Sequence, residues 1–114
     1  MGAAWIDEYG DPAQPADATW LAAYSPVHNV RPDVEYPAFL VTVATTDNRV
    51  GPGHARKLAM RLTEVGAAPK FLEPSGGGHG VSDPLQQPEM MAMRVAFLMD
   101  VLMPSQACAD AGPQ

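Results

Sequence analysis

Two short segments of this 114-residue chain hold the side chains best suited to proton chemistry: Thr45-Thr46-Asp47-Asn48-Arg49-Val50 and Gly76-Gly77-Gly78-His79-Gly80. A carboxylate that accepts the Nδ1 proton of an imidazole fixes its tautomer, stabilises the imidazolium and frees Nε2 to act as a general base. Asp47 and His79 are the residue types for such a relay, and the glycines around His79 permit the backbone dihedrals that swing its ring inward. A plainer use of Asp47 is to open a turn and cap a local amide. Arg49 could pair with it as a surface ion pair, which is worth little. His54 and His28 read as structural hydrogen-bonders. A metal held by His54, His79 and Asp47 has no H-x-x-x-H or cysteine pairing behind it, so neither a metal nor another cofactor is expected.

Residues so far apart in sequence meet only if the fold brings them together. Residues 38–44, Ala-Phe-Leu-Val-Thr-Val-Ala, are nearly all apolar and rich in β-branched side chains, which predicts a strand covered on both faces. Gly51-Pro52 then opens a helix. Its apolar stripe is Ala55, Leu58, Ala59, Leu62 and Val65, its polar face carries Arg56, Lys57, Arg61 and Glu64, and Gly66 sits where a C-terminal cap belongs. Residues 70–73 read as a second strand. The three elements make a βαβ unit, with parallel strands and a right-handed crossover. The acid and histidine loops would then both leave the carboxyl ends of neighbouring strands, the edge of an open α/β sheet where sites form.

Around this unit the signals are weaker. Five of the twelve prolines fall in residues 1–37 and predict an irregular connector, interrupted by a short helix that Asp17 caps and whose stripe is Trp20, Leu21 and Tyr24. Residues 73–80 predict a flexible loop. A last helix begins at Asp83-Pro84 or Pro88 and runs to about residue 103. Its two apolar stripes, Met91, Val95, Leu98, Leu102 and Met90, Met93, Phe97, Val101, predict a mostly buried element, and methionines at helical spacing read as core before they read as an adaptable groove. No internal repeat is present.

Composition sets outer limits. With 46% hydrophobic and 18% charged residues, the chain can form one small domain or part of one. Its net charge of −6 disfavours a nucleic-acid partner. The single cysteine, Cys108, excludes an internal disulfide framework and lies in a small polar tail, residues 104–114. No apolar run approaches the roughly 18 residues of a membrane span, and Asp7, Glu8 and Asp11 stand where a signal peptide needs positive charge. A cytoplasmic location without membrane attachment is expected. Two strands cannot complete a parallel sheet, so the chain is expected to be cut from something larger, with an exposed strand edge open to self-association or complementation.

Four segments together resemble the C-terminal end of the catalytic domain of the prolyl oligopeptidase family of serine peptidases, an α/β-hydrolase fold. They are Trp5-Ile6-Asp7-Glu8-Tyr9-Gly10, Tyr24-Ser25-Pro26-Val27-His28-Asn29-Val30, Asp47-Asn48-Arg49-Val50 with Pro52-Gly53-His54-Ala55-Arg56-Lys57, and Gly77-Gly78-His79-Gly80. They occur in the family's order over roughly residues 3–103. The resemblance implies that residues 1–103 are the end of that catalytic domain, that Asp47 is the triad acid and His79 the triad base, and that Arg49 hydrogen-bonds a carbonyl of a peptide substrate. The family more often has a second Asp at the position of Asn48, a change that leaves the acid intact. In this fold the order is Ser, then Asp, then His, with the serine on an upstream G-x-S-x-G turn. Here only Gly80-Val81-Ser82-Asp83-Pro84 approaches that pattern, it lacks the last glycine and it follows the histidine, so no nucleophile is assigned. Without the serine and the oxyanion donors, the chain alone is expected to be inactive. A non-catalytic module that completes its sheet with a partner, and an esterase or lipase of the same fold, are the alternatives.

Overall fold

The computed structural model describes residues 2–80 and 87–103. Ser82, Ser105, Cys108, the Asp83-Pro84 helix start and the 104–114 tail lie outside them. A 3-10 turn, Gly2–Trp5, leads into the short helix α1, Ile6–Tyr9; helix α2, Pro15–Tyr24, and a second 3-10 turn, Pro26–Asn29, complete the proline-rich connector. Then come strand β1, Leu40–Thr42, helix α3, Gly53–Glu64, strand β2, Lys70–Leu72, a 3-10 turn, Gly78–Gly80, and helix α4, Pro88–Leu102. The two strands pair in parallel, Leu40 opposite Lys70, Val41 opposite Phe71 and Thr42 opposite Leu72. The expected α/β architecture, a βαβ unit followed by a C-terminal helix, is therefore present.

Each element has a local cause. Pro15 occupies the first turn of α2, where its missing N–H is no loss. Asp17 does not cap that helix: Gln14 stands at the N-cap position without a side-chain cap bond, and the Asp17 carboxylate instead accepts the amide of Asp11 at 2.9 Å. The end of α2 is closed by Asn29, whose Nδ2 donates to the carbonyls of Ala22, Ala23 and Ser25. At the end of α3, Gly66 takes φ 87°, its amide donates to Thr63 O and the Ala67 amide to Leu62 O, both at 3.0 Å. These are the two bonds of a Schellman cap, and they answer the glycine expected there.

Burial departs from the sequence reading in three places. Strand β1 is shorter than 38–44 and only half-buried, because a sheet of two strands cannot cover both of its own faces. Helix α4 is not mostly buried: Met90 is enclosed, while Val95, Leu98 and Leu102 are 45, 51 and 71% exposed. Two strands about 5 Å apart present a strip no wider than one helix, so on the facing side of α4 they enclose Met90 and leave Met93 and Val101 of the same stripe 47 and 42% exposed. That buried side packs Met90 against Ala44 and Leu72, and is pinned by Arg94 Nη2 donating to Thr42 Oγ1 at 3.1 Å and by the Lys70–Asp100 ion pair. Trp20 and Tyr24 of α2 likewise stay exposed, stacked on each other at 5.9 Å. Among the described residues the buried apolar set is Val30, Val43, Ala44, Ala59, Leu62 and Met90. None of the described helices is long and apolar enough to cross a membrane.

Candidate active site

The site is built where β1 and β2 end. Ladder bonding continues past both strands, with Val43 N donating to Leu72 O at 3.1 Å and Thr45 N to Pro74 O at 3.0 Å. The two exit loops therefore leave side by side, and the first closes at once as the Asp47 amide donates to Ala44 O. Asp47 Oδ1 accepts the amides of Arg49 and Val50, each at 2.9 Å. This is the local turn that an aspartate commonly makes, and here it serves a second end by fixing the carboxylate plane and leaving Oδ2 free.

Oδ2 receives His79. The ring Nδ1 lies 3.0 Å from it, and a carboxylate that only accepts assigns the proton to Nδ1, leaving Nε2 without a hydrogen-bond partner among the described residues. The Asp47 side chain is 8% exposed and that of His79 44%, so the acid is sheltered and the base faces solvent. The Val50 amide holds the Asp47 carboxyl below the usual carboxylate range, helped by the His79 ring and the Arg49 amide and opposed by partial burial. A pair so arranged can hold a proton on one imidazole nitrogen and accept another on the far one.

Behind the pair stands a second ionic contact. Arg56 of α3 grips Glu73, the residue after β2, with Nε on Oε2 at 3.0 Å and Nη2 on Oε1, and Thr45 Oγ1 donates to the same carboxylate at 3.1 Å. Arg56 holds the Glu73 carboxyl below its ordinary value, with Thr45 adding to the effect. One residue nearer the site, Thr46 Oγ1 accepts the amide of Gly78 at 3.2 Å. The sequence reading assigned no role in the site to Thr45, Thr46, Arg56 or Glu73. No spacing signal links residues 17, 28 or 32 positions apart, so none could have been found that way.

The other candidates separate. Arg49 touches Asp47 through its amide, and among the described residues its guanidinium forms no ion pair with that carboxylate. His54 lines a cleft of about 340 Å³ together with Val43, Asp47, Val50, Ala55 and His79. His28 is engaged elsewhere, its Nδ1 2.8 Å from Ser25 Oγ. Among the described residues no three His, Cys, Asp or Glu side chains converge as a metal site.

Residues 1–105 match the prolyl oligopeptidase family. An uncharacterized peptidase, y4nA, of Sinorhizobium fredii is 41% identical over 86 residues, which are 75% of this chain and 12% of that protein. The dual function macrocyclase-peptidase POPB of Galerina marginata is 42% identical over 88 residues, 73% of this chain and 12% of its own length. In three dimensions a post-proline cleaving enzyme from Rickettsia typhi superposes with a TM-score of 0.76 at 32% identity, over 86% of this chain and 14% of that one. The chain thus spans about an eighth of the length of the relatives it matches.

Proposed function

This chain belongs to the prolyl oligopeptidase family, and on that premise we propose that it is the acid-and-base portion of a serine peptidase catalytic domain. The observation that carries the reading is the 3.0 Å contact between Asp47 Oδ2 and His79 Nδ1 at the carboxyl ends of two parallel strands. In the complete domain a serine from the remainder of the fold attacks the scissile carbonyl. His79 Nε2 takes the Oγ proton as the new C–O bond forms, then passes it to the departing amine as the C–N bond breaks. Water repeats the sequence on the acyl-serine. Asp47 holds the ring in the tautomer this needs and stabilises the imidazolium. Arg49, exposed on the same loop, supplies hydrogen bonds to a carbonyl of the peptide substrate.

The isolated chain, having no serine in the required turn, performs no step of this kind. Incubation of the purified chain with an active-site phosphonate and with chromogenic peptides and esters tests that statement. Absence of labelling and turnover is expected; a covalent adduct on any serine of the chain overturns it.

One observation favours a second reading, that the chain acts as a non-catalytic module completed by a partner. Among the described residues its sheet has two strands and α4 turns Leu98, Met99 and Leu102 to solvent, leaving both a strand edge and an apolar helix face to be covered.

A further inference from the structure

We propose that Thr46 is a positioning residue that holds the His79 loop in register with Asp47. The inference rests on the reading of Asp47 and His79 as a relay. The two partners are secured in unlike ways. Asp47 is tied into its own loop by two amides on Oδ1, so its carboxylate cannot turn away without leaving both unpaired. His79 follows three glycines, and Gly77 and Gly78 sit at φ 96° and 53°. The glycines that allow this path also allow many others, so the loop keeps more freedom to leave than an ordinary segment would.

Among the described residues, the segment 75–80 makes one hydrogen bond to the acid loop besides the Asp47–His79 contact: Gly78 N–H to Thr46 Oγ1, at 3.2 Å. Its placement matters more than its strength. Thr46 adjoins Asp47, and Gly78 adjoins His79. A lone contact between two loops lets one pivot about the other, whereas two neighbouring contacts remove that rotation. The imidazole is thus aimed by a pair of bonds, of which the threonine hydroxyl is the one that takes no part in proton transfer. The Thr45–Glu73–Arg56 contacts brace the same loops one step further from the site, so Thr46 is the last anchor before the ring.

The test uses the full chain, labelled for NMR, as wild type and as Thr46→Val, Thr46→Ser and His79→Ala. Valine keeps the shape and removes the acceptor, while serine retains it. Thr46→Val is expected to speed exchange of the Gly78 amide about 3- to 10-fold, the range that loss of one ordinary hydrogen bond gives. Amides of α3 should keep their wild-type rates. The same variant is expected to move the Asp47 titration midpoint upward, toward that of His79→Ala, with Thr46→Ser at the wild-type position. Either readout unchanged in Thr46→Val overturns the proposal. A Gly78 amide already unprotected in the wild-type chain overturns it independently of any variant. If His79→Ala leaves the Asp47 midpoint where it was, the relay itself is absent and both readings fall.

Discussion

Asp47 carries two loads, and they can be separated. Its Oδ1 accepts amides, which a neutral carbonyl oxygen also does, while its Oδ2 faces an imidazole, where the negative charge matters. Asp47→Asn is therefore expected to leave the Arg49 and Val50 amides protected from exchange and to abolish the downfield Nδ1 proton resonance of His79. Loss of both signals together would refute the division. Acid acts in the same direction. The folded carboxyl lies below its ordinary 3.8, so its contribution is complete above that value and disappears as pH falls through the lower folded one. The His79 and Gly78 amides should accordingly shift together below about pH 4. Asp47 and His79 stood out in the sequence by type and surroundings. Thr46 did not, since a hydroxyl in a loop has no pattern that announces its partner.

Helix α3 is the element that sets the two strands in parallel, and its ends and core face explain why. Leu62 is 1% exposed and Ala59 8%, while Arg61 reaches back to Val30 O and Arg56 forward to Glu73. Leu62→Ala should cost about 2–5 kcal/mol, the range for removing a buried leucine side chain. Gly66→Ala should cost about 1–2 kcal/mol through its left-handed backbone, since a methyl group there would meet nothing within 4 Å and the strain is all of the effect. Thermal unfolding of both variants checks the order, and equal losses would mean that the cap is tighter than its dihedral implies. This helix was legible in the sequence because its 3.6-residue stripe, opening Gly-Pro and closing glycine all point to the same boundaries. Helix α4 was legible in position and misread in burial: its period gives two apolar stripes, but how many are covered depends on how wide a sheet lies beneath.

The two-stranded parallel sheet with an open edge and the half-covered helix that the described residues form are an unusual end state for a chain that is 46% hydrophobic, since such sheets are ordinarily flanked on both faces. The purified chain is therefore expected to associate, and light scattering should return a mass above one chain. Leu98→Lys, which places a charge in the middle of the exposed α4 face, should lower that mass. A compact wild-type monomer would count against the partner-completed reading. The sequence by itself determined the βαβ unit, the family and the two residues that could share a proton, because periodicity, caps and short motifs are properties of neighbouring residues. Tertiary structure alone decided that Asp47 and His79 stand 3.0 Å apart, that Thr46 and the Arg56–Glu73 pair brace them, and that α4 lies half bare. Contacts between residues tens of positions apart follow from how strands align and what they cover, and neither is written in the spacing along the chain.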